Sequence, residues 1–290
     1  MREYRNAVMD NRRWAQFKSR PDDIFVCTPA KCGTTWMQAL VASLIFGKSG
    51  MDVGIDDISI WLDPGFRDQA PISAIFDAQS HRRCIKTHTP LDGIKYDPNC
   101  LYFAVYRHPV DAHFSMRRHA HNMKFDLFDG RFPDDLSLSF ACFLEEVSPQ
   151  NKADGITLAS IVHHYKTFRS WEHQPNVHMF HYADMQRNLR SHTAHIAKVL
   201  GYDYDKSLLD DISASLQFER MQANARKSQE HSVQSSATFK DPAAFFDSGT
   251  SRKWEGKLND TDLRAYQLML AELLSQNDAY WLENGGPLPS

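Results

Sequence analysis

The clearest hydrophobic pattern near the start of the chain is Asp23-Ile24-Phe25-Val26-Cys27-Thr28, a short run rich in β-branched and aromatic residues between Pro21 and Pro29. It predicts a buried strand. After a turn, Thr34 to Phe46 is apolar on nearly every face and ends at Gly47, the pattern of a buried helix with a glycine stop. Arg83 to Thr87, Leu101 to Tyr106 and Val177 to Tyr182 read as further strands, the second apolar throughout, as in a strand covered on both faces. Pro109 opens a helix, and helical periodicity recurs across about 154–172 and 185–200. Residues 48–81 carry Gly50, Gly54, Pro64, Gly65 and Pro71 and no long period, which predicts an irregular excursion with short helical pieces.

Strands alternate with helices over connections too long for hairpins. That pattern predicts an α/β fold, a central parallel sheet flanked by helices. Neither an internal repeat nor a low-complexity linker divides the 290 residues, so one domain over 1–290 is expected. Residues 224–252 are polar and rich in Ser and Gln, a segment expected to move without ligand.

Composition narrows the chemistry only modestly. The 33 Lys+Arg against 36 Asp+Glu give a formal charge of -3, so no global positive field recruits nucleic acid, and any anion site must be local. Five cysteines without a CxxC pair read as reduced thiols. The charged first twenty residues lack an apolar leader core, and no run of roughly 18 apolar residues offers a membrane span. A cytoplasmic protein is expected. Fourteen histidines include no HExxH and no Cys/His zinc spacing; His119 and its neighbours read as solvated or packed, and no metal is expected.

Three strand-end segments carry the chemistry. Thr28-Pro29-Ala30-Lys31-Cys32-Gly33-Thr34-Thr35-Trp36 joins a strand to a helix N-terminus. Unpaired backbone N–H groups and the positive end of the helix dipole favour an anion there, with Lys31, Thr34 and Thr35 as further donors. Lys31 precedes Gly33, whereas a Walker A loop places lysine after glycine, so an ATP-dependent phosphotransferase is disfavoured. Cys32, beside Lys31 at the positive end of a helix, is expected to be a reactive thiol of lowered pKa. Tyr106-Arg107-His108-Pro109 leaves a strand and opens a helix that carries Ser115 two turns on; Arg107 offers a planar fork for phosphate or a local ion pair to Asp111. Lys86-Thr87-His88-Thr89-Pro90 ends a third strand.

Together, in this order, these segments resemble the motifs of the cytosolic-type sulfotransferases, which use 3'-phosphoadenosine-5'-phosphosulfate (PAPS). The likeness runs over about 23–254. It implies a parallel sheet of about five strands with a P-loop-like phosphosulfate loop. By resemblance, His88 is the catalytic base, Lys31 and Lys86 neutralise charge on the leaving phosphate, and Arg107 and Ser115 hold the 3'-phosphate. Trp36, Tyr182 and Phe218 frame the adenine, and a last loop brings in Phe246, Gly249 and Trp254. The sequence departs from the family at Cys32, where serine is usual, in the spacing of Pro29, and at Asp247, which stands where an arginine normally meets the 3'-phosphate. Arg252 is the expected substitute, ahead of Lys253, Arg226 and Lys227; the alternative is a loop that closes only loosely on the cofactor.

The resemblance implies in-line sulfuryl transfer to a hydroxyl or amine of a small acceptor, releasing adenosine 3',5'-bisphosphate. Trp61, Phe66, Phe76, Phe125, Phe128 and Phe132 are candidates for an apolar acceptor pocket or for packing. A non-catalytic nucleotide binder of the same fold is the alternative, and retention of His88 speaks against it. No segment after Trp254 matches the family's dimerising stretch, which leaves the oligomeric state open.

Overall fold

All four residues of strand β1 (Ile24–Cys27) are buried. Its alternate side chains enter opposite cores. Ile24 and Val26 join Met37, Leu40, Val41 and Leu44 of helix α1 (Thr34–Phe46), while Phe25 and Cys27 join Trp14, Tyr102 and Tyr106. Burial on both faces is what an apolar run inside a parallel sheet requires.

In the computed structural model every residue is described except 7, 51–57, 66–69, 146–155, 230–237, 242–243, 245–248 and 290. Among the described residues, β1, β2 (Ser59–Trp61), β3 (Cys84–Thr87), β4 (Leu101–Tyr106) and β5 (Val177–His181) form one sheet in the order β2-β3-β1-β4-β5. All its pairings are parallel. The expected α/β architecture is therefore present.

The helices that cover it are α1, α2 (Ala70–Ala78), α3 (Pro109–Asn122), α4 (Leu136–Phe143), α5 (Leu158–Arg169), α6 (Tyr182–Arg187), α7 (Leu189–Val199), α8 (Lys206–Ser215), α9 (Phe218–Gln229), α10 (Asp260–Leu273) and α11 (Gln276–Asn284). Local chemistry sets several ends. Gly47 takes φ 57° past α1 and donates to Leu44 O, and Pro109 begins α3 behind the His108 cap. The helical pattern at 185–200 becomes two helices because Asn188 leaves helical dihedrals and caps α7 by accepting from Ser191 N–H.

The excursion holds more order than its sequence indicates. β2 lies within it as an edge strand, paired Ser59↔Cys84, Ile60↔Ile85 and Trp61↔Lys86, and α2 follows. Three residues are too few for a period to show.

Topology then fixes where a ligand meets the sheet. The chain runs from β1 out to β2 and β3, and crosses to β4 and β5 on the other side, so β1 has β3 and β4 as neighbours. A strand-order switch opens a crevice at the carboxyl ends. Cys27 pairs with both Thr87 and Ala104, and Tyr106 pairs with His181, so the three motif segments leave adjacent strands at one rim.

Candidate active site

Beyond β1 the chain turns through Lys31 at φ 64° and Gly33 at φ 112° into α1. Gly33 is required twice: its φ lies in the left-handed region, and a Cβ there would meet Tyr182 Cδ2 at 3.0 Å. The N-cap is Gly33, without a side-chain capping bond. The first intrahelical bond is Met37 N–H to Gly33 O at 3.0 Å, so the N–H groups of Thr34, Thr35 and Trp36 stand ahead of it at the positive end of the helix. Thr34 is therefore the first helical residue and not the cap, and its hydroxyl bonds that of Thr28 inside the protein. Thr35 is half-buried beside it.

Cys32 reverses its expectation. The side chain turns into the apolar core, fully buried, and burial pushes the thiol up to about 12 against the opposing pull of Arg107. A helix N-terminus activates a thiol only when the sulfur faces it, and here the sulfur points into the core.

At the end of β3, Lys86 Nζ lies 4.3 Å from the centroid of the Trp61 ring, and His88 is buried with its ring edge-on to Trp61 at 4.9 Å. His88 Nδ1 is 2.7 Å from Thr28 O. A carbonyl only accepts, so Nδ1 carries the proton and Nε2 the lone pair. Burial, then the charge of Lys86, holds the imidazole well below its ordinary range; the Thr28 carbonyl opposes and Lys31 adds to the lowering.

At the end of β4, Arg107 is buried, donates from Nη2 to Thr250 O at 3.0 Å and stacks its guanidinium 4.6 Å from the Tyr182 centroid. Its Nε is buried without a partner. Asp111 accepts the Arg252 N–H at 3.0 Å, and burial raises its pKa while Arg107 opposes. Ser115 stands half-buried on α3, two turns beyond.

Three aromatic candidates converge from α1, α6 and α9. Tyr182 opens α6, lies 5.1 Å from Trp36 and donates to Gly249 O at 3.4 Å. Trp36 Nε1 donates to Leu216 O, and Gly249 sits so close to Phe218 that a Cβ would fall 2.5 Å from its ring. Arg252 takes φ 60°, and its exposed guanidinium meets Glu255 Oε1 at 3.3 Å. Phe246 and Asp247 lie outside the described residues, and Arg226 and Lys227 likewise have no described side chains.

Two groups near the rim are not among the site residues expected from the sequence, where His119 reads as solvated or packed. His119 follows Ser115 by one helical turn on α3, lies in the field of Lys31 and Lys86, and stands 5.2 Å from the Phe239 ring; burial first, then those lysines, push it down to about 2. Its register with Ser115 was the available signal. Asp63, fully buried after β2, had no sequence signal.

Beside Ala30 of the β1 loop, Val8, Met116, Met123, Phe128 and Ile156 form an apolar cluster with Trp61, Leu127, Phe132 and Phe239 packed against it. Of the other aromatic candidates, Phe76 is core and packs on Phe17, Phe125 is exposed, and Phe66 lies outside the described residues. All five cysteines are free thiols. Among the described residues no group of three or more His, Cys, Asp or Glu could hold a metal ion, and no helix is long and apolar enough to cross a membrane.

Comparison with known proteins bears on the family and the fold. A glycolipid sulfotransferase of Mycobacterium bovis (strain BCG / Pasteur 1173P2) is 30% identical, over 97% of this chain and 94% of that protein. Two solved structures share the fold. A mouse sulfotransferase, SULT7A1, complexed with PAP matches at TM-score 0.70 and 21% identity, over 92% of this chain and 89% of that one. A retinol dehydratase in a complex with retinol and PAP matches at 0.74 and 18%, over 91% and 84%. The sulfotransferase domain family matches residues 21–278, a span that takes in the whole sheet and every rim segment described above, and this chain belongs to that family of enzymes.

Proposed function

We propose that this chain transfers a sulfuryl group from PAPS to a hydroxyl or amine of a small acceptor with an apolar body, using His88 as general base. The observation that carries the reading is the fixed tautomer of His88. Its Nδ1–H is committed to Thr28 O, so Nε2 is left unprotonated at a rim lined by Lys31 and Lys86.

The residues present suit a doubly phosphorylated nucleotide. The buried, unpartnered Nε of Arg107 calls for an anion, and the Gly33 turn leaves no room for a side chain where backbone would approach a phosphate. Lys31, Thr34, Thr35 and the α1 N-terminus, with Cys32 and Gly33 contributing backbone, would hold the 5' side. Arg107, Ser115 and Arg252 would hold the 3'-phosphate, and Trp36, Tyr182, Phe218, Phe246 and Gly249 the adenosine. PAPS supplies the sulfuryl group and departs as adenosine 3',5'-bisphosphate.

The chain's own part is positioning and charge. His88 Nε2 takes the proton from the acceptor as its oxygen or nitrogen attacks. Lys31 and Lys86 set positive charge where the leaving phosphate gains negative charge, and Ser115 helps hold the donor. The apolar cluster around Phe128, Met116 and Trp61 supports an acceptor with a hydrocarbon part, in keeping with the glycolipid and retinol named for the relatives.

The test is turnover with PAPS across phenols, alcohols, amines, sugars and glycolipids, read as adenosine 3',5'-bisphosphate formed. Product with at least one acceptor class, together with binding of adenosine 3',5'-bisphosphate and not of ATP, is expected. Nucleotide binding without turnover on any class would support a non-catalytic binder instead.

A further inference from the structure

Asp63 is a fully buried carboxylate outside the anion site. Its Oδ2 accepts from Trp14 Nε1 at 2.9 Å and from the hydroxyls of Thr87 and Thr89 at 2.6 Å each, and its Oδ1 accepts from Trp61 Nε1 at 2.9 Å. Indole N–H groups only donate, so both carboxylate oxygens are fixed as acceptors. These four partners are neutral. Burial raises the Asp63 pKa and the four donors oppose it. For shape alone, an apolar residue of similar volume would avoid the desolvation cost.

Three of the partners reach the transfer site. Thr87 and Thr89 bracket His88, and the Thr87 hydroxyl also accepts Thr89 N–H at 3.0 Å, which closes the turn around the histidine. Trp61 stands edge-on to the His88 ring and beneath Lys86 Nζ. One carboxylate thus ties the turn at the end of β3 to the indole at the end of β2, and through Trp14 to the N-terminal segment.

We propose that Asp63 is a positioning residue for sulfuryl transfer: by holding Thr87, Thr89 and Trp61 together it sets the His88 imidazole and the Lys86 ammonium in register. This rests on the reading of His88 as the base. Asp63 touches neither donor nor acceptor in this scheme and acts only through its partners.

Near-isosteric variants separate positioning from stability. In Asp63→Asn the amide turns its carbonyl toward the three donors on the Oδ2 side, and its NH2 then faces the Trp61 N–H, donor against donor. The variant therefore releases Trp61. Thr87→Val with Thr89→Val keeps side-chain volume and removes both hydroxyls, whereas Thr87→Ser with Thr89→Ser keeps the hydroxyls. The full-length variants, with His88→Ala in parallel, are assayed for kcat and acceptor KM with PAPS. Rates are expressed per site titrated with adenosine 3',5'-bisphosphate, and melting temperature is recorded alongside.

Asp63→Asn and the double valine variant are expected to lose about tenfold to a hundredfold in kcat per titrated site. Their affinity for adenosine 3',5'-bisphosphate should stay within about twofold of wild type, and the double serine variant should recover most of the rate. Wild-type kcat per titrated site in the double valine variant, with only a lower melting temperature, overturns the proposal even if the Asn variant does not fold. If His88→Ala itself keeps turnover, the base assignment has failed first. If His88→Ala is inactive while the Asn and valine variants run at full rate, only the positioning role has failed.

Discussion

The two sides of β1 are finished to different degrees. On the β3 side the named polar groups have partners: His88 Nδ1 is bonded to Thr28, and Thr87, Thr89 and Trp61 all donate to Asp63. On the β4 side Arg107 Nε and Asp111 Oδ1 are buried without partners, and Arg107 is held by a backbone carbonyl of the segment that includes Gly249 and Thr250. An unpaired buried guanidinium nitrogen costs stability unless something anionic arrives. On the function proposed above, the contrast separates a chemical half, organised before any ligand, from a binding half whose bonding a phosphate would complete.

The sharpest way to break that contrast is His88→Ala. Turnover should fall by about a thousandfold, while the dissociation constant for adenosine 3',5'-bisphosphate from calorimetry stays within about twofold. Loss of nucleotide binding would place His88 in the binding half and erase the division.

Next come Arg107→Ala and Lys31→Ala. Each should weaken adenosine 3',5'-bisphosphate by about 1 to 3 kcal/mol, roughly fivefold to 150-fold, as charge-assisted contacts disappear. Arg107→Ala also removes the bond to Thr250 O, so protease sensitivity of the segment around 249–254 should rise in that variant and not in Lys31→Ala. Normal donor binding in both variants would move the nucleotide site elsewhere.

The same division explains what the sequence revealed. Thr34 to Phe46 is helical to the residue, because apolar burial on most faces and Gly47 at its end leave little choice. The rim positions of Lys31, His88, Arg107 and Tyr182 follow once four strand ends are placed beside one another. Cys32 was misread because a side chain's direction depends on the Lys31 and Gly33 dihedrals, and those put the sulfur in the core. Asp63 was invisible because its donors come from residues 14, 61, 87 and 89, brought together only by folding. β2 hid in a three-residue run whose partner strand supplies the pattern.

A smaller effect is expected at Arg252. Its guanidinium is exposed and meets Glu255, and its N–H serves Asp111, so contact with a 3'-phosphate requires the side chain to leave Glu255. We propose that it does, in place of the arginine that Asp247 replaces. Arg252→Gln keeps the side-chain length and removes the charge. It should weaken adenosine 3',5'-bisphosphate by about threefold, within the range of an exposed ion pair, and leave adenosine 5'-phosphate unchanged. Equal loss for both nucleotides would assign Arg252 a role in loop shape alone.

The least conspicuous effect lies in protonation, and it tests whether the chemical half is ready without ligand. Burial and the Lys86 charge both lower the His88 pKa, so in the free protein its imidazole should remain neutral through the ordinary histidine value of 6.5 and charge only below it. The sign follows directly: a base that stays unprotonated on acidification places the acid limb of kcat/KM below 6.5. Lys86→Met removes a like charge, so the imidazole becomes easier to protonate and its midpoint must rise. Bound adenosine 3',5'-bisphosphate should act in the same direction by offsetting Lys31 and Lys86. Both shifts are readable from the His88 ring carbon by NMR titration, without relying on the residual activity of the variant. A midpoint at 6.5 or above in the free protein, indifferent to Lys86, would mean that His88 is solvated and that the finished side of the site is no more prepared than the other.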